Sequence, residues 1–185
     1  MVMSDYCVYL NLNINPVTID HDKLKKNYQT PIDFENINHD FIIFLKNLGI
    51  QIWYIESFYS RPYANLNKQG IHTDCMGGDY VKINFIYGGR GSLMHWYKVK
   101  ETSSAPAVVE KTPINTQYIP WRSDMVDLVE SDPLIYPSLV QAGCPHNVTT
   151  TKEDRLCITV VLVDLITKER LTMAEAKLRL QEFII

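Results

Sequence analysis

The feature that most constrains the fold is a succession of short β-rich runs that fills the middle of the chain. The runs lie at residues 51–59, 70–74, 80–87, 92–99, 125–129, 138–142 and 155–163. Clusters such as Gly77-Gly78, Gly88-Gly89 and Gly143 with Pro145 separate them. Many short strands with turn signals between them, and no helical stretch interleaved, predict a β-sandwich or a barrel.

Helical patterns flank this β region on both sides. Apolar residues recur with a spacing near 3.6 over residues 33–48, and Gly49 follows where such a helix would end. Towards the C-terminus, Thr172 and Glu175 have the spacing of a capping box and precede residues that favour helix. The sequence therefore predicts one helix before the β region and one after it.

A first strand is expected at residues 6–14, where apolar and polar side chains alternate up to Pro16. A chain of 185 residues is long enough to bury one sizeable core. We therefore predict a mainly β protein with flanking N-terminal and C-terminal helices. It would be a single domain over residues 1–185, with a β core at about 51–164.

Charge and hydropathy exclude some classes of function. The formal net charge is −3 and the isoelectric point is about 5.9, so a broad electrostatic interaction with nucleic acid is not expected. No apolar run reaches the roughly 18 residues of a transmembrane helix, and the first residues lack a signal-peptide pattern. We expect a soluble, cytoplasmic protein that contacts no membrane, and the sequence leaves room for a homodimer.

The cysteines are scattered along the chain at Cys7, Cys75, Cys144 and Cys157. None has the Cys-x-x-Cys spacing of a zinc or redox site, so a metal site made of cysteines is poorly supported. Reduced thiols are the expected state in a cytoplasmic protein. We therefore predict free cysteines instead of disulfides.

Three residues form the best candidate for a metal site. His72 and Asp74 stand two apart in a β-rich run, and residues two apart in a strand face the same side. His146 follows a tight turn at 143–145, far enough along the chain to return through several strands. Two histidines and one carboxylate form a facial triad that leaves positions of a ferrous ion open. The alternative for the first pair alone is a surface histidine beside a turn aspartate.

Arg155 opens the most apolar run in the chain. A charged side chain at the start of a buried strand needs a partner, and the planar guanidinium group suits a carboxylate held by two hydrogen bonds. Cys157 and Thr159 share its face of the strand, so Arg155 with either of them could hold the far carboxylate of a keto-diacid. The alternative is a surface salt bridge with Asp164 or Glu153.

The order of these residues resembles the ferrous-iron and 2-oxoglutarate-dependent dioxygenase superfamily, over roughly residues 52–164. The stretch 142–148, followed by Arg155 and a strand closing at Asp164, is similar to the second iron motif of prolyl-hydroxylase-like members and to the aspartyl/asparaginyl β-hydroxylase branch. That branch commonly lacks the carboxylate ligand, whereas Asp74 is present here. The resemblance implies a double-stranded β-helix, or jelly roll. The implied iron ligands are His72, Asp74 and His146.

The resemblance also implies that 2-oxoglutarate is the co-substrate, with its distal carboxylate on Arg155. Family members often carry a hydroxyl residue two positions after this arginine. The residue there is Cys157 in this chain, so Thr159 would supply the hydroxyl group instead. Which of the two assists Arg155 stays open at this point.

Two further contacts to the co-substrate are expected. Asn84, which shares a strand face with Lys82, would suit a hydrogen bond to the keto-acid end. The alternative places both side chains in solvent on an outer sheet face. Family members often place a tyrosine facing the co-substrate before the first iron motif, and Tyr63 or Tyr59 would supply it.

These expectations define one function and its alternatives. With Fe(II) and 2-oxoglutarate the protein would be an oxygenase, a hydroxylase of a small molecule or of a peptide side chain. The carboxylate ligand leaves no position for a halide, so halogenation is disfavoured. A non-catalytic jelly-roll binding protein or virion accessory protein would share the core but has no reason to carry the triad and Arg155. A cupin-type isomerase or a dioxygenase without 2-oxoglutarate usually has more histidines near the first motif.

The segment 101–117 has the least regular pattern and is rich in serine, threonine, proline and alanine. It has little apolar surface to bury, so nothing in it offsets the entropy of ordering. We predict a surface loop that borders the pocket entrance and closes over substrate.

Overall fold

The computed structural model describes residues 4–62, 70–74, 78–104, 106, 108–112, 116–149 and 152–185. This part of the chain is mainly β. The strands are β1 (Cys7–Tyr9), β2 (Gln29–Pro31), β3 (Ile50–Ser60), β4 (Ile71–Asp74), β5 (Val81–Gly88), β6 (Met94–Val99), β7 (Glu110–Lys111), β8 (Gln117–Trp121), β9 (Val126–Asp132), β10 (Ser138–Gln141), β11 (His146–Val148) and β12 (Arg155–Asp164). The helices are α1 (His21–Leu24), α2 (His39–Asn47) and α3 (Met173–Arg179), and short 3-10 turns lie at Phe34–Asn36, Ser123–Met125 and Gln181–Phe183.

The strands form two antiparallel sheets of six. The first sheet has the order β1-β10-β5-β12-β3-β2, and the second has the order β7-β8-β4-β11-β6-β9. Pairing runs from the outside of the sequence inwards, with β3 on β12, β4 on β11, β5 on β10 and β6 on β9. The four strands β3 to β6 therefore pair, in order, with the four strands β12 to β9, as the two arms of one long hairpin would. This topology brings segments that are distant in sequence into adjacent strands.

The two faces of β12 have different surroundings. Every second residue from Leu156 to Leu162 belongs to the large apolar core, which also contains Phe41 of α2. Each such buried side chain contributes about 1.5–3 kcal/mol to folding. The intervening residues, from Arg155 to Thr159, line a cavity between the two sheets. The alternation predicted for this strand is thus present, and it places the polar residues on the inner face.

The helix predicted for residues 33–48 is present only in part. A 3-10 turn covers Phe34–Asn36, and α2 begins after Asn38, whose side-chain oxygen accepts a hydrogen bond from the Asp40 backbone N–H at 3.0 Å. An asparagine cap satisfies an amide that the first helical turn leaves unpaired, so the helix begins at this point. Gly49 follows the helix, as predicted, with a left-handed φ of +70°.

The capping box predicted at the start of α3 is confirmed, because the Thr172 hydroxyl accepts from the Glu175 N–H at 3.2 Å and the Glu175 carboxylate accepts from the Thr172 N–H at 2.9 Å.

The first strand is shorter than predicted. After β1 the backbone pairs with the C-terminal residues, with a bridge between Leu10 and Ile184, and so leaves the sheet.

Two expectations about the whole chain can be compared with the described residues. None of the helices in these segments is long and apolar enough to cross a membrane. Cys7, Cys144 and Cys157 are free thiols, as predicted, and Cys75 lies outside the described residues.

Candidate metal centre

The candidate metal ligands meet where β4 lies beside β11. These strands are antiparallel neighbours, and their register places His146 opposite His72. The Thr73 side chain points away from the two neighbours and accepts a hydrogen bond from Trp121 Nε1 at 2.8 Å. One ligand atom from each of His72, Asp74 and His146 lies within 4.8 Å of the other two. Strand pairing therefore brings together residues that are separated by most of the β core.

Backbone carbonyl groups fix both imidazole rings. His72 Nδ1 lies 3.2 Å from the carbonyl oxygen of Gly70, and His146 Nδ1 lies 2.9 Å from that of Cys144. A carbonyl oxygen only accepts, so each Nδ1 carries a hydrogen, and Nε2 is the ring atom available to bind a metal. The two Nε2 atoms lie 3.5 Å and 3.7 Å from oxygens of Asp74. Metal-binding histidines are commonly oriented by a hydrogen bond of this kind.

The donor set fits a divalent ion. Ligand atoms that bind one ion at about 2 Å and at right angles lie about 3 Å apart, so the observed separations need only small side-chain rotations. Imidazole and carboxylate donors in a ratio of two to one, with the remaining positions open, are the set that suits ferrous iron. The three donors line the cavity, so water or a substrate could reach an ion held there.

A chain of buried polar groups lies against the candidate ligands. Lys82 of β5 is only 5 % exposed, and its Nζ lies 2.8 Å from Asp74 Oδ2 and 3.7 Å from Glu56 Oε1. Gln29 of β2 donates from Nε2 to the other oxygen of Glu56 at 2.7 Å. Lys82 and Asn84 are therefore both buried on the inner face, and the exposed alternative for this pair is wrong.

Glu56 and Gln29 were not expected in the site from the sequence. A signal existed for Glu56, because it interrupts the largely apolar β3 and a buried carboxylate needs a partner. No local pattern marks Gln29, whose position depends on the pairing of β2 with β3. Tyr118 of β8 was missed for the same reason, although its ring meets that of His72 edge-on with centroids 5.8 Å apart.

Burial and neighbouring charges shift the pKa values of this cluster. Burial alone would raise the pKa of Asp74, but the Lys82 ammonium and the two histidines hold that pKa well below its usual range. Burial raises the pKa of Glu56 despite the attraction of Lys82. Burial lowers the pKa of His146 to about 4, and His72 adds to the effect. At neutral pH, Asp74 is therefore ionised and His146 is neutral, the states that metal ligands require.

The low pKa of His146 predicts how the stability of the metal-free protein depends on pH. The ordinary pKa of histidine is 6.5 and the pKa of His146 in the folded protein is about 4, so as the pH falls below 6.5 the unfolded chain binds the proton before the folded one does. Above pH 6.5 this group does not change the free energy of unfolding. Between pH 6.5 and pH 4 the free energy of unfolding should fall by roughly 3 kcal/mol through this group, at 1.36 kcal/mol per pKa unit.

The measurement is urea unfolding with a metal chelator at pH values from 8 to 4. A His146→Asn variant is the control, because asparagine does not titrate in this range. The loss of stability between pH 6.5 and pH 4 should be smaller in the variant than in the parent. Parallel curves for the two proteins would contradict the assignment.

Arg155 lies in the same cavity, at the beginning of β12. It is 5 % exposed, and its Nε has no hydrogen-bond partner among the described residues. Gly89, with a φ of +70°, lies against the aliphatic part of the side chain, where a Cβ would approach Arg155 Cγ to 2.7 Å. Burial excludes the surface salt bridge that was the alternative, and Asp164, one of its candidate partners, pairs instead with Arg179.

The residues predicted to assist Arg155 differ in what they can donate. The Thr159 hydroxyl donates to Asn84 Oδ1 at 2.6 Å, and both residues are buried. This uses the hydroxyl hydrogen of Thr159 and leaves the amide group of Asn84 to donate. Burial raises the pKa of the Cys157 thiol in spite of the neighbouring guanidinium, so Cys157 is neutral and a weak donor. Asn84, which was predicted to contact the keto-acid end, is therefore a stronger hydrogen-bond donor than either Cys157 or Thr159.

The predicted tyrosine contact has two outcomes. Tyr63 lies outside the described residues, so its role stays a prediction. Tyr59 packs against the large apolar core and is paired with Leu156, on the sheet face opposite to Arg155. Tyr59 is therefore wrong as a residue facing the co-substrate. A different tyrosine, Tyr118, contributes to the cavity wall.

The cavity that holds these groups encloses about 100 Å³, several times the 10–15 Å³ that one water molecule needs. Both sheets contribute to its walls, which combine the charged cluster with aromatic rings from Tyr28, Tyr54, Phe58 and Tyr118. Thr112 and Thr116, from the segment predicted to border the entrance, also line it. Closure of that segment over a substrate stays a prediction.

Comparison of the chain with protein-family models, with curated proteins and with solved structures found no match. The strand pairing, the donor set and the cavity are therefore the features that point to a class of protein. A fold alone does not imply an activity, so these side chains carry the functional conclusion.

Proposed function

We propose that this protein is an Fe(II)- and 2-oxoglutarate-dependent oxygenase, and that it hydroxylates its substrate. The observation that carries the proposal is the convergence of two kinds of site in one cavity. The triad of His72, Asp74 and His146 offers three donors to a metal on one side. Arg155, whose buried Nε has no hydrogen-bond partner in the part of the chain that the structure describes, offers a cation to a carboxylate in the same cavity. A metal and an anionic keto acid are the ligands that this combination suits.

The strand pairing supports a jelly-roll, or double-stranded β-helix, assignment for the core. Without the outer strands β1 and β2 of the first sheet and β7 and β8 of the second, the sheets have the orders β10-β5-β12-β3 and β4-β11-β6-β9. Eight strands, paired from the outside of the sequence inwards and split between two sheets, are the arrangement of a double-sheet jelly roll. Two such sheets place residues from β4, β11 and β12 around a shared interior, as the proposed site requires.

The residues have distinct tasks in the proposed reaction. His72, Asp74 and His146 would hold the iron, which when bound supplies the activation of dioxygen at the expense of 2-oxoglutarate. Arg155 would hold the distal carboxylate of that co-substrate by paired hydrogen bonds. The Asn84 amide, directed by its bond from Thr159, would donate to the co-substrate. The surrounding aromatic residues would limit the access of water, a common function of such walls.

The class of substrate is open between a small molecule and a peptide side chain. Asp74 supplies a carboxylate at the position that a halide would need, so hydroxylation is proposed instead of halogenation. Cytoplasmic location, the absence of a nucleic-acid partner and dimerisation stay predictions from the sequence.

Anaerobic titration tests the proposal directly. Fe(II) added together with 2-oxoglutarate should produce a weak visible charge-transfer band that neither produces alone. On admission of oxygen, succinate should form slowly even without the prime substrate. Both signals should be lost in an Asp74→Ala variant and retained in an Asp127→Ala variant, which removes an exposed carboxylate of β9 in the same sheet.

Absence of the band and of succinate from the folded parent would contradict the proposal. Succinate-free oxidation with the metal alone would favour a metal-dependent dioxygenase without 2-oxoglutarate. A folded protein that binds neither metal nor 2-oxoglutarate would favour the non-catalytic binding protein. The buried charges count against that alternative, because each buried charge without a ligand role costs stability that an apolar core residue would not.

A further inference from the structure

Lys82 of the first sheet contacts Asp74, a candidate metal ligand of the second sheet. Among the described residues, this is the shortest contact between a candidate ligand and a charged group of the other sheet. Lys82 Nζ lies 2.8 Å from Asp74 Oδ2, and the lysine side chain is buried. A buried carboxylate needs a counter-charge, and in this structure the ammonium group supplies it. The same oxygen lies 3.7 Å from His146 Nε2. The ammonium group is therefore placed at the carboxylate that a metal ion would use.

A divalent ion and this ammonium group would repel each other at such short range. The interior of the protein screens charges far less than water does, so the repulsion would be large if Lys82 kept its position. Glu56 offers a way to reduce it. Its Oε1 lies 3.7 Å from Lys82 Nζ, and its other oxygen is fixed by Gln29 Nε2 at 2.7 Å. A small rotation of the lysine would exchange one carboxylate partner for the other.

We infer that Lys82 is the counter-ion of Asp74 in the metal-free protein. When a divalent ion binds, the Lys82 side chain moves so that its ammonium group pairs with Glu56 instead. This inference rests on the metal site of the proposed function. Lys82 and Glu56 would then be positioning residues that set metal affinity without binding the ion. Gln29 holds Glu56 in place for the exchange.

The first test is the affinity of metal-free protein for Mn²⁺, an air-stable probe, measured by calorimetry. Lys82→Met should bind Mn²⁺ at least tenfold more tightly than the parent, because the competing cation is gone. The variant should also melt at a lower temperature without metal and gain more from Mn²⁺, since Asp74 has lost its partner. Lys98→Met, which changes an exposed lysine of β6 in the same way, should match the parent.

The second test removes the acceptor. Glu56→Gln should bind Mn²⁺ at least tenfold more weakly, because the displaced ammonium group would have no carboxylate to receive it. In the Lys82→Met background the same change should have little effect, since no ammonium group is left to move. This arm stands alone if Lys82→Met does not fold. In a crystal structure with Mn²⁺, Lys82 Nζ should lie within hydrogen-bond distance of Glu56.

The outcomes separate this inference from the proposed function. Equal Mn²⁺ affinity in the parent, Lys82→Met and Glu56→Gln would overturn the exchange while leaving the metal site intact. A lysine still bonded to Asp74 in the Mn²⁺ complex would overturn it as well. If neither the parent nor Lys82→Met binds Mn²⁺, the metal site is wrong, and the proposed function and this inference both fail with it.

Discussion

A His146→Ala variant is expected to bind metal about a hundredfold more weakly than the parent. Structural zinc sites with four ligands bind with about 10–16 kcal/mol, so one ligand contributes roughly 3 kcal/mol, which is about a hundredfold or more in affinity. His146 is buried, and its ring is held by the Cys144 carbonyl, so the alanine variant removes one of the three donors in the candidate site. Calorimetric titration with Mn²⁺, and with Fe(II) under nitrogen, measures the loss.

The matched control for this prediction is His95→Ala. His95 lies in β6, which is paired with β11, but its ring faces Ser131, with Nδ1 2.6 Å from the hydroxyl oxygen. Metal affinity should therefore be unchanged in this variant. Circular dichroism establishes that both variants are folded. Metal binding by folded His146→Ala at the parental affinity would contradict the proposed ligand set.

Arg155→Ala is expected to weaken 2-oxoglutarate binding by about 2–5 kcal/mol, or roughly 30- to 4,000-fold. This is the range for losing one partner of a buried, hydrogen-bonded charge pair. The effect should be large because the cavity around Arg155 is shielded from water, so a carboxylate that enters it gives up solvent contacts. Competition binding with the metal-loaded protein measures the loss, and metal affinity itself should persist.

Two further variants sharpen this prediction. Arg155→Lys keeps the charge but loses the planar guanidinium group and its paired N–H donors, so it should bind 2-oxoglutarate with an affinity between those of the parent and the alanine variant. Arg122→Ala removes an exposed arginine that pairs with Asp124 and should match the parent. Unchanged 2-oxoglutarate affinity in Arg155→Ala would remove Arg155 from the proposed site and favour a reaction that does not use a keto-diacid.

Much of the secondary structure was predictable because it depends on local patterns. The apolar, β-rich run at residues 155–163 placed β12 within one residue of its observed end, and the spacing of Thr172 and Glu175 predicted the cap of α3. The extended N-terminal helix was wrong for a local reason of another kind. Asn38 caps a later start, and apolar spacing alone does not register such a competing hydrogen bond.

The candidate ligands were predictable in part. Residues two apart in a strand must share a face, so the pairing of His72 with Asp74 follows from the sequence. The choice of His146 as the third ligand used the order of the motifs, and its position opposite His72 depends on the pairing of β4 with β11. The inward side of β12 could likewise be argued from its pattern, which marked Arg155 as a charge in need of a partner.

Only the tertiary structure decided what surrounds those residues. The sequence left two placements open for Lys82 and Asn84, on the inner or on the outer face of their sheet. An alternation with a period of two tells which residues share a face, but not which face the second sheet covers. The network of Gln29, Glu56 and Lys82 requires the register of four strands, because β12 lies between β3 and β5, and no local rule encodes it. The sequence by itself thus determined the donors that could bind a metal and a carboxylate. Long-range strand pairing decided which charges stand beside them, because contacts between distant segments are set by the topology of the whole chain.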